Sequence, residues 1–244
     1  MIRSTRDFSA RIQVIDREFL LGVLLLDTHF GRIEGEIGNP KTFPYPVIYQ
    51  TVGGADVRRV IERGDPDLIS LFIEAGHVLE WRGADLIATS CGFLARFQSE
   101  IAQALQVPFL SSSLLQLPLL YRLFGRRGPM GVITASKRNL SREHLRGIGA
   151  EDIPVRIAGM DTCDHFTGSI LKEEVPLNPS RLREEVLEVA RDLIVHAPEI
   201  PAFVLECTNL SPYRRDIRDT VKRPVFDIIT LIESCRHGFT EKNP

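Results

Sequence analysis

Short apolar runs alternating with amphipathic helical patterns predict an α/β protein with parallel sheets, and a faint internal repeat predicts that it is two related halves. Eight runs read as strands: residues 20–26, 46–52, 85–89, 108–110, 131–134, 154–157, 202–205 and 224–226. Helical patterns lie between most of them. The clearest starts near Pro66, places Leu68, Phe72, Ala75 and Leu79 on one face and stops at Gly83, which tolerates the positive φ that ends a helix. A second runs from Arg181 to about His196, with Leu182, Val186, Val189 and Leu193 spaced as a buried stripe. The stretch from His29 to Tyr45 has no period and is broken by Gly31, Gly35, Gly38, Asn39, Pro40 and Pro44. A loop this long after the first strand reads as a lid or binding loop.

The repeat emerges when the chain is slid over itself. Residues 84–91, an apolar run ending in Thr89-Ser90-Cys91, match residues 200–207, ending in Leu205-Glu206-Cys207. Pro108 follows Cys91 by 17 residues, and Pro224 follows Cys207 by the same 17. Upstream, Gly22-Val23-Leu24-Leu25-Leu26-Asp27-Thr28 echoes Gly131-Val132-Ile133-Thr134-Ala135-Ser136. In open parallel sheets ligands bind beyond the carboxyl ends of the strands, so two such halves facing each other place both cysteines on one cleft.

Composition narrows the function. A hydrophobic share of 43% with 25% charged residues is that of a globular protein, not a disordered one. Thirty basic against thirty-two acidic side chains give a net charge of -2, without the basic footprint of a nucleic-acid binder. The segment holding Arg3, Arg6, Asp7, Arg11, Asp16, Arg17 and Glu18 contains no hydrophobic signal region, and Gly22 to Leu26 is too short to span a membrane. Four cysteines with no CxxC pair fit neither a disulfide scaffold nor a zinc site, so a reducing cytoplasm is expected. The Asp161-Thr162-Cys163-Asp164-His165 cluster has no second ligand group at metal spacing, and Cys163 and Cys235 read as structural. The six histidines form no ligand pair and read as surface or ordinary hydrogen-bonding residues, with His29 and His165 the first to check. Gly125, Gly128 and Gly131 precede a strand rather than link one to a helix, so they are no dinucleotide fingerprint. The Arg-rich run 213–218 reads as a solvated helix face.

Cys91 and Cys207 each end a strand and open a helix. Unpaired backbone N–H groups and the helix dipole there are expected to favour thiolate and to hold a substrate carboxylate. Either cysteine alone reads as core, since free cysteine is commonly buried. Their matched positions point instead to a pair passing a proton across one carbon.

Asp27-Thr28, Thr89-Ser90-Cys91-Gly92-Phe93 and Glu206-Cys207-Thr208-Asn209 resemble the aspartate/glutamate racemase superfamily over nearly the whole chain. The segment Gly38-Asn39-Pro40 through Val47 resembles a racemase-like subgroup. The resemblance implies two flavodoxin-like parallel-sheet domains related by pseudo-two-fold symmetry, residues 1–110 with 212–244 and residues 111–211, with the active site in the cleft between them. It implies Cys91 and Cys207 as catalytic thiols, with Asp27, Thr28, Asn39, Ser90, Gly92, Phe93, Thr134, Ser136, Thr208 and Asn209 on the substrate. Gly92-Phe93 stands where amino acid racemases have Asn-Thr, and Asn209 where glutamate racemases have His. The expected enzyme is a homo-oligomeric isomerase that uses neither cofactor nor metal. It would racemise an amino acid or hydantoin, with a maleate-type cis-trans isomerase or a non-catalytic ligand-binding protein as alternatives. Its partner is a small carboxylate or hydantoin, not nucleic acid or membrane.

Overall fold

The computed structural model describes residues 18–239, so the charged segment through Arg17 lies outside the described residues. The first sheet contains β1 (Leu21–Leu26), β2 (Val47–Val52), β3 (Leu86–Thr89) and β4 (Phe109–Leu110) in the order β2-β1-β3-β4. The second contains β5 (Met130–Thr134), β6 (Val155–Gly159), β7 (Phe203–Leu205) and β8 (Val225–Phe226) in the order β6-β5-β7-β8. Every pairing is parallel, and the second order repeats the first. All eight strands overlap the expected runs, the inner strands β1, β3, β5 and β7 because a strand covered on both faces is largely apolar. Among the described residues, no helix is long and apolar enough to cross a membrane.

The helices are α1 (Leu68–Trp81), α2 (Gln98–Ala104), α3 (Leu117–Leu123), α4 (Arg142–Gly147), α5 (Asp164–Phe166), α6 (Pro179–His196), α7 (Arg214–Val221) and α8 (Ile228–Arg236). α1 buries Leu68, Phe72, Ala75 and Leu79 as expected, and Gly83 just beyond it has φ 89°. α6 starts two residues before the sequence expectation because Asn178 caps it, its side chain accepting the amides of Ser180 and Arg181 at 3.0 and 3.2 Å. Pro179 then fits the first turn, where no amide partner is needed.

The echo between Gly22 and Gly131 has a packing cause. A Cβ at Gly22 would lie 3.1 Å from Ala84 and from Leu79, and one at Gly131 would lie 2.8 Å from the Phe203 ring. Each central strand therefore has a glycine at its second position, where neighbouring side chains approach the backbone.

One boundary differs from the sequence reading. The chain was expected to rejoin the first half at residue 212, but β8 pairs with β7, so the crossing comes only at α8. There Ile228 and Ile232 pack with Leu21, Val23, Leu86, Ala88 and Leu110. Strand pairing is set by the backbone edge that β7 offers, whereas α8 is placed by its apolar face. Asp227 starts that helix as a capping box with Thr230.

Candidate functional site

The carboxyl ends of β3 and β7 meet in a small, mostly apolar cleft. Thr28, Phe30 and Arg32 line it from the long loop, and Ser90, Cys91, Gly92 and Phe93 from the end of β3. Glu206, Cys207, Thr208 and Asn209 face them from the end of β7. Buried hydrogen bonds join the walls: Thr208 Oγ1 donates to the Ser90 carbonyl at 2.8 Å, and Ser113 Oγ to the Leu205 carbonyl at 2.6 Å. Ser90 Oγ in turn accepts the Leu26 amide at 3.0 Å.

Both thiols are buried, and their charge state reverses the sequence expectation. Burial pushes the Cys91 thiol well above the usual range, Glu206 adds to the rise, and the Phe93 amide only partly offsets it. Cys207 is likewise raised, by burial and then by Glu206, against opposing donation from the backbone amide and side chain of Asn209. Asn209 Nδ2 lies 3.8 Å from Cys207 Sγ. The segments opened by the cysteines, Gly92–Phe97 and Thr208–Tyr213, are short 3-10 turns. Loss of water around the sulfur outweighs the few amides such turns present.

Glu206 is the residue the sequence reading placed beside Cys207 without assigning it to the site. Its Oε2 accepts from Thr134 Oγ1 at 2.6 Å and from the Ala135 amide at 3.2 Å. Its Oε1 is buried without a hydrogen-bond partner. Burial pushes this carboxyl up to about 7, against the lowering effect of Thr134 and Ala135. Gly92 makes room for it, since a Cβ there would collide with Glu206 Oε1 and lie 2.5 Å from the Glu206 carbonyl and 2.8 Å from Ser112 Oγ. The absent side chain at 92 and the carboxylate at 206 are thus one steric feature. No local sequence signal connects residues so far apart.

Arg32 is a second group the sequence reading missed. Its Nη1 pairs with Glu36 at 2.9 Å, and its Nη2 donates to Thr28 Oγ1 at 3.2 Å. Glu36 is 1% exposed, and its carboxyl is raised by burial despite Arg32 and the Gly38 amide. A guanidinium has five N–H donors, so Arg32 keeps some for an anion in the cleft. The aperiodic loop is accordingly a wall of the site, anchored by buried Ile37 and Phe43.

Of the expected substrate contacts, Thr28, Ser90, Gly92, Phe93, Thr208 and Asn209 line the cleft. Asp27, Asn39, Thr134 and Ser136 do not. Asp27 Oδ2 accepts the Gly54 amide and ties the end of β1 to the turn after β2, whereas Asn39 Nδ2 donates to the Arg32 carbonyl and shapes the long loop. Thr134 is consumed by Glu206, and Ser136 Oγ donates to Asp161 at 3.2 Å. His29 is exposed beside Glu173, and His165 Nε2 accepts the Asn178 amide; neither lines the cleft. The Arg-rich run is less free than expected, since Arg214 pairs with the buried Asp227. Among the described residues, no group of three or more His, Cys, Asp or Glu is placed to hold a metal ion.

No family model matches the chain. A dimethylsulfoniopropionate lyase of Durusdinium sp. clade D is 29% identical over 232 residues, covering 92% of this chain and 76% of that protein. Dimethylsulfoniopropionate lyases 7 and 6 of Emiliania huxleyi (strain CCMP1516) are each 28% identical, covering 88% and 92% of this chain but 65% and 61% of their own lengths. The chain therefore spans less than two thirds of these last two relatives. All three are enzymes, which supports an enzyme here, but they are lyases. Their shared activity overturns the expected amino acid or hydantoin racemase, and with it the maleate-type isomerase and the non-catalytic binding protein. The resemblance to racemases lay in the strand-end motifs, which follow the fold more closely than the reaction.

Among solved structures, a sulfate-associated mutant of arylmalonate decarboxylase aligns with TM-score 0.57 at 14% identity, covering 84% of this chain and 86% of that one. A glutamate racemase from Bacillus anthracis aligns with TM-score 0.55 at 14% identity, covering 90% and 82%. The chain has the fold of the aspartate/glutamate racemase superfamily.

Proposed function

We propose that this protein is a lyase that eliminates dimethyl sulfide from dimethylsulfoniopropionate, using Cys207 as base. The substrate carries a carboxylate at one end of a short chain and a sulfonium cation at the other. Cys207 thiolate removes a proton from the carbon next to the carboxylate. That electron pair becomes the new carbon–carbon double bond, the carbon–sulfur bond breaks, and dimethyl sulfide leaves with its electrons, giving acrylate. Cys207 is favoured over Cys91 because two donations from Asn209 favour its thiolate, against one from Phe93. Arg32 receives the carboxylate and spreads the charge that develops on it as the proton departs. Cys91, held as thiol, offers its S–H to that charge from the other half of the cleft.

The observation carrying this reading is that thiols from both halves and a guanidinium share one small cleft, in a chain whose curated relatives match 88–92% of it under one activity. A sulfonium suits such a site, because a cation beside a buried thiol favours thiolate. The test is incubation of purified protein with dimethylsulfoniopropionate, with dimethyl sulfide measured in the headspace and acrylate by NMR. Equal amounts of both are expected. Release no faster than in a protein-free control overturns the assignment.

A further inference from the structure

We propose that Glu206 sets the charge of the thiols: it holds the negative charge of the cleft and accepts the Cys207 proton when a cationic substrate enters. This rests on the lyase reading for its substrate, but its geometry stands apart. The carboxyl lines the cleft, its Oε1 has no partner, and Gly92 leaves it the space beside the first cysteine. The proton balance is simple. Cys207 thiol and Glu206 carboxylate become Cys207 thiolate and Glu206 carboxylic acid, and the total charge is unchanged.

The charged and titratable groups facing this exchange are few. Cys91 lies at the end of β3, and Glu36 and Arg32 lie on the long loop. Glu36 acts on Cys207 in the same sense as Glu206, but Arg32 is bonded to it and offsets its charge. Glu206 has no such cation; its partners are the Thr134 hydroxyl and the Ala135 amide. It is therefore the anion whose loss changes the thiols most. A buried carboxyl titrating near 7 is poised to exchange a proton at neutral pH. The carboxylate form raises both thiols and the acid form does not, so accepting the proton removes the charge that opposed thiolate. A sulfonium drives that transfer, and a neutral thioether of the same shape does not.

The experiment compares wild type with Glu206→Gln, which keeps the side chain's size. Iodoacetamide alkylation of each cysteine is followed against pH, with the modified residue located by mass spectrometry. Removing the carboxylate is expected to lower the alkylation midpoints of Cys91 and Cys207 by about one unit or more, leaving Cys163 and Cys235 unchanged. Dimethyl sulfide release by wild type should rise with pH through a limb near 7, where Glu206 ionises. In Glu206→Gln that limb should disappear, the pH dependence then following the Cys207 thiol alone. Thr134→Val keeps the carboxyl but removes a donor that favours its anion, so the limb should move to higher pH. Coincident alkylation profiles for wild type and Glu206→Gln, or an unmoved limb in Thr134→Val, overturn the proposal. Alkylation needs no substrate, so a wild type that releases no dimethyl sulfide overturns the lyase reading while the thiol profiles still decide the role of Glu206.

Discussion

Gly92 and Glu206 compete for one volume, and that competition makes a prediction about the smallest possible change. Gly92→Ala pushes a methyl group into the Glu206 carboxylate and carbonyl and the Ser112 hydroxyl. Overpacking of this kind typically costs about 1–3 kcal/mol, so the urea midpoint should fall with little change in slope. An unchanged midpoint would mean that the two segments separate freely. The thiols make unequal contributions in the proposed elimination. Cys207→Ala should lower dimethyl sulfide release at least about a hundredfold, the lower range for a positioned base. Cys91→Ala should lower it roughly tenfold, as for loss of one hydrogen bond. Equal losses, measured on variants with wild-type circular dichroism, would remove the assignment of Cys207 as the base. Arg32→Lys keeps a cation near Glu36 but loses the planar fork, so KM should rise roughly tenfold or more while kcat changes less. A KM unchanged under those conditions would place the carboxylate elsewhere in the cleft.

At the scale of elements, α4 ties the site to a titration. His144 is buried at its third position, and Nδ1 accepts the Ser141 amide at 3.1 Å, so the neutral ring carries its proton on Nε2. The ring meets Phe93 edge-on, with centroids 5.1 Å apart. Burial, then the nearby Arg96, lowers the imidazole from 6.5 to about 4. As pH falls from about 6.5 to about 4, the unfolded chain takes up a proton that the folded chain resists. Stability from this group is thus full above that window and lost across it, by about 3 kcal/mol at most. Urea titrations at stepped pH should show a shallower loss for His144→Gln than for wild type, the difference isolating this residue from Glu206. Parallel curves would remove the assignment. Elements were also where sequence reading went furthest, because α1 advertises its buried stripe in one turn's spacing, whereas α6 buries Leu182, Val186 and Ala190 and leaves Val189 and Leu193 half-buried. It went least far after each cysteine, where Gly92 and Pro212 give 3-10 turns instead of the expected helix starts.

Across the whole molecule, the two halves share more than a cleft. Leu24 and Leu26 of β1 and Val132 and Ile133 of β5 belong to one continuous core. α8 leaves the second sheet to pack on the first, while Gln116 Nε2, just before α3, donates to the Asp227 carbonyl at 3.0 Å. With the Thr208–Ser90 and Ser113–Leu205 bonds also buried, opening the cleft exposes apolar surface and leaves polar groups unpaired. One unfolding transition is therefore expected, coincident by calorimetry and near-ultraviolet circular dichroism. Two resolved transitions would show that each sheet folds alone.

The sequence by itself determined the eight strands, the repeat and the placement of both cysteines at matching strand ends. Those features follow from apolar runs, breakers and spacing, all legible within a few residues of chain. Tertiary structure decided that Thr134 serves Glu206 rather than facing the cleft, and that Arg32 stands on its wall. It also decided that the thiols rest protonated and that the crossing between halves comes at α8, not residue 212. Desolvation and Coulomb interactions act through space, and Gly92 and Glu206 meet only when the two sheets do.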